Sequence, residues 1–264
     1  MALKFGIYLL AATFALAGVA DAQAKRNSRQ PQTPEPASTP TPEPTPAGPK
    51  KNERPAQNGT TAKAKPKTTA KEPLYRYEYT QPEFVVHHIV IQHDDAGTGT
   101  ILFEKRSYGE PITEPIELSA STLDRLKAAF TALNFIDSTE DYQFEKDFSN
   151  MGNVAITLKQ AGRERTAKYN WTSNKDAKFL MDEYRRIANQ YVWMFDFNLA
   201  RENQPLETPR LVDAFDSLLK RNEISDPHQM LPFLQAVSND ERVPLIGRNH
   251  AGKLAKLIEK QKKN

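Results

Sequence analysis

The sequence contains no cysteine, and it has no run of about 20 consecutive apolar residues. Without cysteine the chain has no disulfide framework, no lipid-modified N-terminal cysteine and no thiolate metal site. Without a long apolar run it is not a multi-pass membrane protein. What the sequence has is 264 residues, a formal net charge of +3 and 19 unevenly spread prolines. This composition predicts a soluble domain with low-complexity additions.

The first 22 residues have the pattern of an export signal. Lys4 precedes sixteen uncharged residues, 5–20, and Ala20-Asp21-Ala22 has the small residues that signal peptidase accepts. We expect cleavage between Ala22 and Gln23, and export to the periplasm or the extracellular space. The alternative is an uncleaved signal that serves as a membrane anchor, although sixteen residues are short for a hydrocarbon core of about 30 Å.

Residues 23–72 form a segment rich in proline, threonine and lysine that holds ten of the 19 prolines. The proline run over residues 31–46 is short of amide donors and has nothing apolar to bury, so the segment predicts a disordered linker rich in polyproline II. It carries ten basic and four acidic residues, whereas residues 73–247 have a net charge of −8 and residues 248–264 one of +5. An acidic segment between two basic ones does not predict a nucleic-acid-binding groove, which requires basic residues clustered on the folded domain.

Periodicity predicts strands and helices in the remaining chain. Strand patterns cover residues 74–80, 84–91 and 100–105, and a second hairpin, 153–159 with 163–171, turns at Ala161-Gly162. Amphipathic helices are predicted over 121–133 and 174–199. Thr208-Pro209, Asp226-Pro227 and Val243-Pro244 predict three further helix starts.

The order of these elements predicts an α+β fold. Two β-hairpins form an antiparallel sheet with helices on one face, in the order strand-strand-helix twice, followed by a small C-terminal helical segment. We expect an α+β domain over residues 73–200 and a helical subdomain over 201–264.

Two groups of side chains are candidates for binding. Tyr75, Tyr77 and Tyr79 alternate along one strand and could stack on a sugar ring or a peptide, or else pack under the sheet. The group Arg248, Asn249 and His250 lies at a helix start and could bind a small ligand, or else satisfy backbone groups and form salt links.

Motifs for catalysis or metal binding are weak. Ser217-Leu-Leu-Lys220 matches the Ser-x-x-Lys of penicillin-recognising enzymes, but the partner motifs of that class are absent. His87 and His88 are expected on opposite faces of a strand, and His87 and His93 on one face about 20 Å apart, so one metal cannot join them. We therefore predict no catalytic residue, no metal and no cofactor.

The body resembles the uncharacterised conserved exported proteins of Gram-negative soil bacteria. The resemblance rests on residues 84–95, on Leu133-Asn-Phe-Ile-Asp137 and on Asn249-His250-Ala251. It implies a bacterial host and an α+β domain after a signal and a proline-rich spacer, and it implies no activity.

The leading hypothesis is a non-enzymatic exported module, tethered by its spacer, that binds an envelope or extracellular protein or polymer. A hydrolase or metal-dependent enzyme with a site assembled from distant residues is the second hypothesis. The third is a structural envelope spacer anchored by an uncleaved signal, the one case in which a membrane is a partner.

Overall fold

The computed structural model describes residues 74–261, which form an α+β fold with a six-stranded antiparallel sheet and five α-helices. The predicted leader, its cleavage site at Ala22–Gln23 and the proline-rich linker lie outside the described residues. No helix within residues 74–261 is long and apolar enough to cross a membrane.

The chain begins with four consecutive strands. They are β1 (Leu74–Thr80), β2 (Val86–Asp94), β3 (Thr98–Lys105) and β4 (Ile112–Glu117), and they precede helix α1 (Ala120–Ala132). The hairpin of β5 (Asn153–Gln160) and β6 (Arg163–Tyr169) follows, and β5 pairs with β1, so the strand order is β4-β3-β2-β1-β5-β6.

The α+β prediction is confirmed, but two equal strand-strand-helix units are not seen, because four strands precede α1. The additional strand is β4, an edge strand that contains Pro115. Proline cannot donate to a strand ladder and is tolerated at a sheet edge, so its presence concealed this strand in the sequence.

Helix α1 and the first half of the next helix pack on one face of the sheet, and the later helices pack on the second half of that helix. Helix α2 (Lys175–Asn203) is followed by α3 (Thr208–Lys220), α4 (Leu231–Asn239) and α5 (Leu245–Gln261). Asn174 caps α2 by accepting from the backbone amides of Asp176 and Ala177. Pro209 lies in the first turn of α3, as the Thr208-Pro209 pattern predicts. Helix α1 begins at Ala120, one residue before its predicted start, and Ser119 caps it.

Buried side chains form two hydrophobic clusters, and α2 contributes to both. Its first half packs with α1 on the sheet through residues such as Leu180, Tyr184 and Ile187. Its second half contributes Trp193 and Phe197 to a cluster with α3, α4 and α5. The domain division at residue 200 stays a prediction.

Candidate binding groove

A groove with a volume of about 840 Å³ lies between α2 and one end of the sheet. A volume of this size is typical of sites for small ligands. Its apolar lining comes from five separate parts of the chain: Tyr77, Tyr79, Phe84, Val85, Val86, Ile89, Met151, Val154, Trp171, Met181 and Ala188. We call this cavity the α2 groove.

The connection between β1 and β2 forms one wall of the α2 groove, and buried Gln81 holds it in place. The Gln81 side-chain amide donates to the backbone oxygens of Ser149 (3.1 Å) and Asn150 (2.7 Å), on the segment before β5. The Gln81 backbone amide donates to the His87 carbonyl at 2.8 Å. These hydrogen bonds join the β1–β2 connection to the segment before β5, which is far away in sequence. Both segments are therefore held in place where they line the groove.

Tyr79 connects the sheet to the segment before β5. Its hydroxyl donates to the Met151 carbonyl oxygen at 3.0 Å, and burial raises its pKa. Gly152 has φ +100°, and a Cβ added there would lie 2.3 Å from the Tyr79 ring. Only glycine therefore fits beside this ring, and the close contact fixes the ring's position in the groove.

An aromatic cluster supports the end of the groove at Trp171. The Trp171 ring packs edge-on against Phe144, with centroids 4.4 Å apart, and lies 5.7 Å from Phe148. The Asn170 side chain fixes the same segment by accepting from the Phe148 amide at 3.0 Å. The apolar surface that Trp171 presents to the groove is therefore held by its neighbours.

Apolar side chains are exposed at the mouth of the α2 groove. The exposed fractions are 44% for Phe84, 68% for Val85 and 60% for Met151. Contiguous exposed apolar surface on a soluble protein marks a binding site more often than scattered residues do. A ligand in the groove would cover these side chains.

Three charged residues of α2, Lys178, Asp182 and Arg185, also line the groove. Asp182 accepts a hydrogen bond from Lys178, one turn away, and forms an ion pair with Arg185 at 3.1 Å. The Asp182 side chain is 16% exposed, whereas those of Lys178 and Arg185 are 46% and 56% exposed. The charge that these residues present to solvent is therefore positive.

The three candidate tyrosines share the inner face of the sheet, and Tyr77 and Tyr79 line the groove. Tyr75 is not part of the groove lining. It is buried and stacks on His93, with ring centroids 4.9 Å apart. Tyr77 is also buried, and it stacks on Tyr184 at 5.1 Å. Only Tyr79 is partly exposed, so it is the one of the three that a ligand would contact most.

The second candidate group, Arg248, Asn249 and His250, lies on α5, among the elements of the second cluster rather than at the groove. His250 Nδ1 lies 2.8 Å from an Asp213 carboxylate oxygen. A shallow cavity of about 450 Å³ is lined by Asn249 and His250, but not by Arg248. The structure thus brings two of the three residues to one cavity, and their role in binding stays a prediction.

The histidines on β2 are placed differently from the prediction. A β-bulge between Val86 and His88 lets His87 and His88 both contact Glu104, at 3.2 and 2.9 Å, so they do not point to opposite faces. Burial lowers the pKa of His88, but hydrogen bonds to Glu104 and Glu78 outweigh this effect and raise it. His93 lies in the core, so it does not share a face with His87.

His93 is a structural residue of the core. Its Nδ1 lies 2.9 Å from the Asp94 carbonyl oxygen, which can only accept, so Nδ1 carries the proton and Nε2 accepts from the Tyr184 hydroxyl at 2.9 Å. Burial lowers the pKa of His93, which keeps the ring neutral. Within residues 74–261, no group of three or more acidic or histidine side chains is arranged to hold a metal.

Ser217 and Lys220 do not contact each other through a hydrogen bond. The Ser217 hydroxyl donates to the Asp213 carbonyl at 3.0 Å, and the Lys220 ammonium donates to Asp216 at 2.7 Å. Both interactions are ordinary within a helix. Ser217 on α3 and His93 in the sheet core belong to different parts of the fold and do not form a catalytic pair.

A third cavity, of about 540 Å³, lies between the β4 edge and α2, near Tyr191, Met194 and Met230. The Tyr191 hydroxyl donates to the Glu117 carbonyl at 2.7 Å, and the Gln229 amide donates to the same oxygen. These polar groups already have hydrogen-bond partners, so this cavity is a weaker candidate for ligand binding than the α2 groove.

Sequence reasoning missed Trp171, Met181 and Arg185. Each lies beside a pattern that was recognised: Trp171 follows β6, while Met181 and Arg185 flank the buried stripe of α2. The available signal was a methionine and an arginine next to an apolar stripe. Only the folded chain shows that these residues line the same groove as Tyr79 and Phe84.

No protein-family model matches this chain, and no curated protein matches it either.

Proposed function

We propose that this chain is a non-enzymatic, exported binding module of the cell envelope or extracellular space, and that the α2 groove is its binding site. The proline-rich spacer would tether the module. The observation that carries the proposal is the α2 groove: about 840 Å³, lined mainly by apolar side chains, with Phe84, Val85 and Met151 exposed at its mouth.

The polar groups of the groove support binding rather than catalysis. The Asn170 side chain accepts from Phe148 and donates to Asp147 (2.6 Å), and the Asn189 amide donates to the Glu223 carbonyl at 3.1 Å. Asp182 is paired with Lys178. Because these groups already serve the fold, the groove offers a ligand mainly apolar surface, which suits an elongated apolar molecule or segment.

Removing the exposed apolar side chains is expected to weaken the binding of a neutral apolar probe. In the full chain, the double variant Phe84→Ser and Met151→Ser should bind 1-decanol about tenfold more weakly, a loss of about 1.4 kcal/mol, because apolar area is no longer covered. Isothermal titration calorimetry measures the affinity.

The matched control is Leu206→Ser, which removes an apolar side chain that is 86% exposed and lies outside the groove. It should bind 1-decanol as the unchanged protein does. Equal affinities for the control and the double variant would contradict the proposal.

A further inference from the structure

The groove holds a guanidinium whose hydrogen-bonding capacity the fold leaves largely available. The Arg185 side chain lines the groove and is 56% exposed. Within the described part of the chain its guanidinium forms an ion pair with Asp182 and donates no hydrogen bond. A guanidinium has five N–H donors in a fork that matches a carboxylate, so most of this capacity is free for a ligand.

The charge around Arg185 favours an acidic ligand group. Asp182 is the acidic residue closest to it, but Asp182 is largely buried and is already paired with Lys178. Glu83, the other acidic residue of the lining, lies on the β1–β2 connection and not on α2. The exposed charge of the α2 wall is thus positive, and it adjoins apolar Met181 and Ala188.

A positive group beside a long apolar surface complements an amphipathic anion. We propose that the ligand of the α2 groove is an amphipathic carboxylate, with its apolar chain along Tyr79, Met151 and Trp171 and its acidic head group bound by Arg185. This inference rests on the proposed function of the groove, and it adds the chemical class of the ligand.

The test compares decanoate with 1-decanol, which share an apolar chain and differ in the charged head group. In calorimetric titrations of the full chain, decanoate should bind about tenfold more tightly than decanol, since charge-assisted hydrogen bonds to a partly exposed guanidinium are stronger than neutral ones. Arg185→Gln should remove this difference and leave the affinity for decanol unchanged.

The matched control is Arg210→Gln, which removes an arginine that is 81% exposed on α3 and pairs with Glu207. It should keep the tenfold preference for decanoate. Lengthening the acid by one methylene should also strengthen binding, by up to about fourfold, until the groove is filled.

The outcomes separate the inference from the proposed function. If decanol binds but decanoate binds no more tightly, the carboxylate is wrong and the apolar groove stands. If Arg185→Gln keeps the preference, Arg185 does not bind the head group and this inference is overturned. If neither molecule binds, both proposals fail for this ligand class. If an extended apolar peptide binds where neither amphiphile does, the groove is a peptide site and the inference is overturned.

Discussion

Replacing Glu183 with alanine is expected to lower the free energy of unfolding by about 3 kcal/mol. Glu183 is 1% exposed, and its carboxylate accepts hydrogen bonds from Arg125 on α1 (2.6 Å), Arg186 on α2 (2.9 Å) and the Ser225 hydroxyl (2.7 Å). It therefore joins the helices on the sheet to the segment that follows α3. Removing it leaves two arginines without their buried partner.

The size of this effect depends on the solvent exposure of the two arginines. Their side chains are 40% (Arg125) and 25% (Arg186) exposed, so solvation offsets part of the penalty, and the low end of the range for a broken buried pair applies. Urea unfolding followed by circular dichroism measures the change. The matched control, Glu202→Ala, removes an exposed carboxylate from the same helix and should stay within about 0.5 kcal/mol.

A loss for Glu183→Ala no larger than that of the control would show that the buried carboxylate does not hold these elements together. The joining of α1, α2 and the segment after α3 would then depend on the apolar clusters alone.

Replacing Gly99 with alanine is expected to cost about 3 kcal/mol or more, or to prevent folding. Gly99 lies in β3 opposite His93, and a Cβ added to it would lie 1.9 Å from the Gln92 carbonyl oxygen and 2.7 Å from the His93 Cα. These atoms are backbone of the paired strand, so they cannot rotate away as a flexible side chain could. The strands must separate to admit the methyl group.

Thermal unfolding measures this effect, and Gly109→Ala is its matched control. A Cβ at Gly109, in the turn after β3, would meet no atom within 4 Å. For a folded body of this size a loss of 3 kcal/mol lowers Tm by about 6–12 °C, whereas the control should change little. Equal melting temperatures for the two variants would contradict the close approach of β2 and β3.

Elements that depend on local chemistry could be predicted from the sequence. Ala161 and Gly162 both have positive φ, 52° and 72°, as the predicted tight hairpin between β5 and β6 requires. Asn174 precedes an apolar repeat, and it caps α2. In both cases a few neighbouring residues decide the conformation, so a single sequence is sufficient.

Features that depend on contacts distant in sequence could not be predicted. Phe84 and Val85 belong to an apolar, β-branched run, which favours a strand, yet β2 begins at Val86 and both residues are exposed at the groove. The bulge that places His87 and His88 together on Glu104 has no signal in the alternating pattern. The α2 groove is assembled from five separate parts of the chain, and periodicity does not reveal that they line one cavity.

The most direct test of the α2 groove as the binding site uses the protein's own methionines. Met151 and Met181 line the groove, whereas Met194 and Met230 line the separate cavity near β4. Their methyl signals can be followed by NMR in ¹³C-methyl-methionine-labelled full chain during a titration with decanoate. We expect the signals of Met151 and Met181 to shift while those of Met194 and Met230 stay in place. Shifts confined to Met194 and Met230, or no shift at Met151 and Met181, would contradict binding in the α2 groove.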